Sequence, residues 1–190
     1  MRIIAGKHKG RRIELPRQAA QVRPTSGFAR QAIFNILSHG EYAEANSPFI
    51  GNRVADIFCG SGAFGLEALS RGAAHATFVD MDAQSLLAAR QNAERFGESA
   101  RADFMRADAA HLPAAPSPYG LVFLDPPYFS GKIPACLNSL AAGNWVDARS
   151  VVVVEHDAGE QPAFPPAFAL ADERRYGRAR VALLRLAHRA

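Results

Sequence analysis

Between Arg53 and His156 the chain alternates short apolar runs with stretches of helix length, and this alternation limits the fold more than any other feature. "RVADIF" precedes Ala63 to Arg71, "HATFVD" precedes Ala83 to Phe96, and "ARADFMRAD" precedes a broken segment. "YGLVFLD" then precedes Ile133 to Ala142, and "SVVVVEH" closes the series. Repeated strand and helix units of this kind predict an α/β fold with a mostly parallel sheet covered on both faces. The end of the chain breaks the pattern. "AFALADERRYGRARVALLRL" holds two extended runs on either side of Tyr176-Gly177, which predicts a C-terminal antiparallel hairpin at one edge of the sheet.

Ahead of this body the sequence reads differently. Arg2 to Ala5 and Arg12 to Leu15 flank "GKHKG" and predict a small β-hairpin. "RPTSGFARQAIFNIL" follows, with Thr25 or Ser26 as cap of a helix whose Phe28, Ile33, Phe34 and Leu37 recur at helical spacing, Arg30 falling on another face. These elements are expected as an extension over 1–45, with the main domain at 46–190. Charge is uneven across that division. Residues 1–30 hold eight basic side chains against Glu14 alone, whereas the other 160 residues hold fourteen basic and seventeen acidic ones. A basic arm on a nearly neutral body suits contact with phosphates, although a solvated surface has the same composition.

A chain of 190 residues has room for one substantial core. No apolar run is long enough to span a membrane, and the charged start lacks the pattern of an export signal, so a cytoplasmic protein is expected. Cys59 and Cys136 lack a framework spacing, which predicts reduced thiols. The six histidines make no ligand spacing, and no metal is expected.

The chemistry-bearing residues follow the predicted strands. Gly60-Ser61-Gly62-Ala63-Phe64-Gly65 satisfies the G-x-G-x-x-G pattern, a tight strand-to-helix turn that lets a nucleotide-type cofactor approach the backbone. Asp56, four residues earlier, argues against NAD, because a carboxylate and a pyrophosphate at short range in low dielectric repel by about several kcal/mol. S-adenosylmethionine carries an ammonium and a sulfonium, and Asp56 favours it; a loop-tying carboxylate is the plainer alternative. Asp80 ends the second strand, where an acid accepts hydrogen bonds from ribose hydroxyls, with Asp82 as the neighbouring choice. Asp108 ends the third and suits either an adenine amine or a helix cap. After the fourth comes Asp125-Pro126-Pro127-Tyr128. Its prolines remove two amide donors, leaving carbonyls and a carboxylate to accept hydrogen bonds from an exocyclic amine, and Tyr128 offers a face on which a base can stack.

"DIFCGSGAFG", Asp80, Asp108 and "DPPY", in that order, resemble the class I amino-group methyltransferases. "MRIIAGKHKGRRIELP", "VRPTSGFARQAIFNIL", "GLEALSRGA" and "VFLDPPY" resemble more closely the bacterial 16S rRNA guanine-N2 methyltransferases, the ribosomal small-subunit methyltransferase D family. The resemblance implies a Rossmann-like class I methyltransferase sheet and methyl transfer to the N2 of one guanine of 16S rRNA, guanine 966. It implies that Asp56, Gly60, Gly62, Asp80 and Asp108 bind S-adenosylmethionine. Asp125, Pro126 and Tyr128 would hold the guanine, and Lys7, Lys9, Arg11, Arg12, Arg23 and Arg30 would meet RNA phosphates. The implied partner is 16S rRNA or the small ribosomal subunit, met by a monomer without membrane or metal. That family usually carries Asp, Arg and Glu where this chain has Gly27, Phe28 and Gln31, so Phe28 removes a positive charge; Cys59, where Ala is common, reads as packing. Two alternatives stay open: a DNA adenine-N6 methyltransferase, whose amine suits the same loop, and a non-catalytic RNA-binding assembly factor. For the C-terminal arginines from Arg174 to Arg189, a solvated hairpin face is the plainer reading.

Overall fold

A computed structural model describes residues 1–15, 27–39, 42 and 47–187. Arg23 and the cap expected at Thr25 or Ser26 lie outside the described residues. Seven strands among them form one sheet in the order β3-β2-β1-β4-β5-β7-β6. The strands are β1 (Arg53–Ile57), β2 (His75–Asp80), β3 (Ala102–Arg106), β4 (Leu121–Leu124), β5 (Val151–Asp157), β6 (Phe168–Tyr176) and β7 (Ala179–Leu186). The first five pair in parallel, and β7 runs antiparallel to both β5 and β6, as the sequence predicts. All seven residues of β5 are buried, the signature of a strand covered on both faces. Edge strand β6 is mostly exposed and carries Asp172, Glu173, Arg174 and Arg175, charges that discourage pairing with another chain.

Four helices cover the sheet: α1 (Gly27–Leu37), α2 (Ala63–Ser70), α3 (Ala83–Phe96) and α4 (Ile133–Ala142). Asp82 caps α3 by accepting from the backbone N–H of Gln84 and Ser85, and Gly97 ends it at φ 73°. Helices α1, α2 and α3 share one core, in which the Phe34, Phe64 and Phe123 rings stack in series at centroid distances of 4.8 and 3.9 Å. Helix α4 and Trp145 close the other face over Ile57, Leu124, Val154 and Leu184.

The N-terminal hairpin forms, reduced to a single antiparallel bridge between Arg2 and Arg12. It does not project as an arm. Ile3 and Ile13 are buried in the same core as α1 and α2, so the extension shares the core of the body. Its backbone is tied down as well: Ile4 and Ala5 donate N–H bonds of 2.8 and 3.0 Å to the Glu67 carboxylate on α2, and Glu14 N–H donates to Asn92 on α3. Arg30 contradicts the expectation placed on it. Its side chain is 1% exposed and lies 3.5 Å from Glu67, so it neutralises a buried acid and is unavailable to RNA phosphates.

Candidate active site

The order β3-β2-β1-β4-β5 reverses direction at β1, and loops leaving the carboxyl ends of β1 and β4 diverge to leave a crevice there. The glycine loop sits at that switch. Ile57 of β1 is level with Val79 of β2 and Leu124 of β4, so Asp80 and Asp125 emerge on either side of the loop. Gly62 starts α2 at φ 77°, a left-handed conformation that a side chain disfavours. Gly65 has a different function: a Cβ there would lie 2.4 Å from the Phe78 ring, so the third glycine lets helix meet sheet. Phe58, which opens the loop, is a non-glycine residue at φ 62°, a local strain held by the surrounding structure.

Four carboxylates stand at or just beyond the carboxyl ends of β1 to β4: Asp56, Asp80, Asp108 and Asp125. Asp56 is buried and accepts a 2.9 Å hydrogen bond from Gly65 N–H, which fastens the first turn of α2. Its pKa is pushed up to about 8 by burial, with Asp125 and Asp80 adding repulsion against the opposing pull of the Gly65 N–H and Arg30. Asp80 accepts from Gly60 N–H at 3.0 Å and from Asp82 N–H at 2.9 Å, which places it beside the loop, while Asp82 is used as a cap. Asp108 is an N-cap: it accepts from Ala110 N–H at 3.1 Å and pairs with His111 at 3.0 Å. Cys59 is buried, and burial pushes its thiol pKa well up, a poor state for a nucleophile.

At the β4 end, Pro126 is buried and Tyr128 is 37% exposed, so the motif has one side in the core and one in the crevice. The Tyr128 hydroxyl donates to Glu155 of β5 at 3.2 Å. Burial, then the charges of Glu155 and Asp125, raise the phenol pKa, so Tyr128 stays a donor. Phe129, at φ 57°, is fixed through a 2.6 Å bond from its N–H to Glu160. Glu155 and Glu160 escaped sequence reasoning. An acid ending the run "VVVVEH" was a readable signal for Glu155; Glu160 gave none.

Of the residues expected at RNA, Lys7, Lys9, Arg11 and Arg12 lie on the N-terminal hairpin. Lys9 and Arg12 are exposed on the N-terminal hairpin. Lys7 is half-exposed and pairs with buried Glu98 at 2.6 Å. Arg11 lies over the Phe96 ring at 4.4 Å and bonds the Arg95 carbonyl, so it helps hold the hairpin to α3.

The strand order, the glycine loop after β1 and D-P-P-Y after β4 together define a class I methyltransferase. Residues 1–185 match the family described as "Conserved hypothetical protein 95", and the chain belongs to that family. It is 35% identical to the Bacillus subtilis protein YlbH over 161 residues, covering 83% of each chain. It is 31% identical to the Ribosomal RNA small subunit methyltransferase D of Escherichia coli K12, covering 83% of this chain and 75% of that one. Among solved structures, yhhF of Escherichia coli superposes with a TM-score of 0.79 at 28% identity, covering 98% of this chain and 97% of that one.

Proposed function

We propose that the protein transfers the methyl group of S-adenosylmethionine to the exocyclic N2 of one guanine in 16S rRNA, guanine 966. One observation carries the reading: Asp56, Asp80 and Asp125 gather around a glycine loop at the ends of adjacent strands, and the last of them opens D-P-P-Y. The repulsion of Asp80 and Asp125 helps keep Asp56 protonated, so a cation entering the site stabilises its carboxylate, whereas a pyrophosphate worsens the repulsion. The residues therefore fit a cationic methyl donor. Gly60 and Gly62 would admit it to the backbone, Asp80 would accept its ribose hydroxyls, Asp108 its adenine amine, and Asp56 would balance its charge. When bound, the donor supplies an electrophilic methyl carbon.

The protein's own part is to orient the amine. The Asp125 carboxylate and the Pro126 carbonyl would accept its two N–H bonds, which holds the nitrogen in line and favours loss of a proton as the carbon–nitrogen bond forms. Tyr128, fixed by Glu155, would stack the base, which must leave its surroundings to reach the crevice. Lys7, Lys9 and Arg12 would meet phosphates from the N-terminal hairpin, and Arg23 is proposed for the same role. The name of the Escherichia coli relative supports small-subunit RNA as the substrate. Mass spectrometry of 16S rRNA from a strain lacking the protein tests the assignment: one N2-methylguanosine should be missing, and a full set at every site refutes it.

Asp56 makes donor binding pH-dependent. With its pKa near 8, the free protein holds this carboxyl largely protonated at neutrality. A cationic donor favours the carboxylate, so binding releases a proton. Affinity should rise with pH by up to about tenfold per unit and level off above about 8. Calorimetry in buffers of different ionisation enthalpy should detect that proton, and Asp56→Asn should remove both the slope and the release. The free protein has the opposite linkage, since a raised native pKa means stability falls as pH climbs from the ordinary carboxylate range to about 8.

A further inference from the structure

On the side of D-P-P-Y away from the glycine loop stands an aromatic pair that the proposed reaction does not use. Phe28, in the first turn of α1, is 71% exposed. The buried face of α1 is made by Ala29, Arg30, Ile33, Phe34 and Leu37, so Phe28 contributes nothing to it. Its ring meets that of Tyr176 at the tip of the β6–β7 hairpin, edge to face, with centroids 6.0 Å apart and planes at 75°. Tyr176 is partly buried against the core and braces the outer ring.

The pair is continuous with the candidate active site. Glu155, which holds Tyr128, is opposite Val181 on β7, and Tyr176 is opposite Ala179, so both project from the same face of the sheet. Two strand spacings and two residues of rise separate them, about 12 Å between Cα atoms. The loop between β5 and β6 closes that gap. Glu160 holds Phe129 N–H, Asp157 holds the Arg178 guanidinium at 2.5 Å, and Ala158 N–H donates to the Arg178 carbonyl. Four arginines surround the rings on this hairpin: Arg174, Arg178 and Arg180 pair with Asp172, Asp157 and Glu173, exposed Arg175 bonds the Gly177 carbonyl, and Arg174, on the face of Tyr176, keeps much of its side chain in solvent.

An exposed aromatic ring beside arginines suits one chemistry best: unpaired nucleotides, whose bases stack while phosphates meet the cations. Resting on the rRNA reading above, we propose that Phe28, braced by Tyr176, is the stacking platform for a nucleotide flanking the target guanine. Stacking there orients the RNA and lets the target base turn toward Tyr128.

The test uses the full chain and small subunits from a strain lacking it. Phe28→Leu keeps apolar bulk and removes the ring, and should raise KM for small subunits about tenfold with kcat changed by less than about twofold. Donor binding by calorimetry should not move, and Phe28→Tyr should restore most of the affinity. A benzophenone side chain introduced at position 28 should cross-link 16S rRNA near the modified guanine. An unchanged KM in Phe28→Leu, or a cross-link to a ribosomal protein alone, overturns the platform and leaves the proposed function standing. Failure of the unsubstituted protein to methylate small subunits overturns the functional reading and the platform with it.

Discussion

Asp125→Ala is expected to lower methyl transfer to small subunits by roughly a thousandfold in kcat while leaving S-adenosylmethionine bound. The magnitude follows from the part assigned to the side chain, since orienting a reacting amine and accepting its proton contributes about 10²–10⁴ in rate. Asp125 begins at the carboxyl end of β4, level with the glycine loop, and its backbone position is set by Leu124 and Ile57 in the sheet, so truncation should not disturb the fold. Removing this carboxylate also takes one repulsive neighbour from Asp56. The rise of donor affinity with pH should therefore shift to lower pH in the variant. Single-turnover transfer of a radiolabelled methyl group, paired with calorimetry, separates the two effects, and a kcat within about tenfold of the parent contradicts the role given to Asp125.

The second large effect lies away from the chemistry. Glu67 is 0% exposed, accepts from three donors, the N–H groups of Ile4 and Ala5 and Arg71 at 2.7 Å, and forms an ion pair with Arg30 at 3.5 Å. Glu67→Ala leaves a buried guanidinium uncompensated and two backbone N–H groups without their acceptor. Breaking one side of such a pair costs about 3–5 kcal/mol, a third or more of the stability of many domains. For a chain of this size the melting temperature should fall by about 6–20 °C. The N-terminal hairpin should become more sensitive to protease, because Glu67 accepts the N–H bonds of Ile4 and Ala5, one of its attachments beside Ser70, Asn92 and Glu98. Glu67→Gln, which keeps shape and one acceptor oxygen, should lose less. Denaturant titration showing a change below about 1 kcal/mol for Glu67→Ala contradicts this account. The effect reaches function because Glu67 sits on α2, whose first turn carries the glycine loop.

Helices α3 and α4 follow the sequence reading residue for residue, since their boundaries are local: Asp82 caps one, Gly97 stops it, and Pro134 opens the other near its start. The same holds for the hairpin at Gly177, which has φ 63°, as such a turn demands. The candidate site was legible for a related reason. Gly60, Gly62, Asp80 and Asp125 each follow a predicted strand, and parallel strands place their carboxyl ends together, so order along the chain became proximity in space. Phe58 and Phe129 were not legible, because a left-handed phenylalanine is imposed by its neighbours and leaves no mark in composition.

Arg30 marks the limit most clearly. As one of eight cations in the first thirty residues it counts toward a basic surface, yet it is buried against an acid 37 positions away. Arg11 likewise spends its charge on Phe96 and the end of α3. The sequence by itself determined the sheet, the glycine turn and the acceptor loop, since periodicity, caps and strand-end motifs are encoded within a few residues. Only the tertiary structure decided which charges stay exposed and which hold the fold, because the free energy of a charge depends on burial and on partners that the chain brings together from far apart.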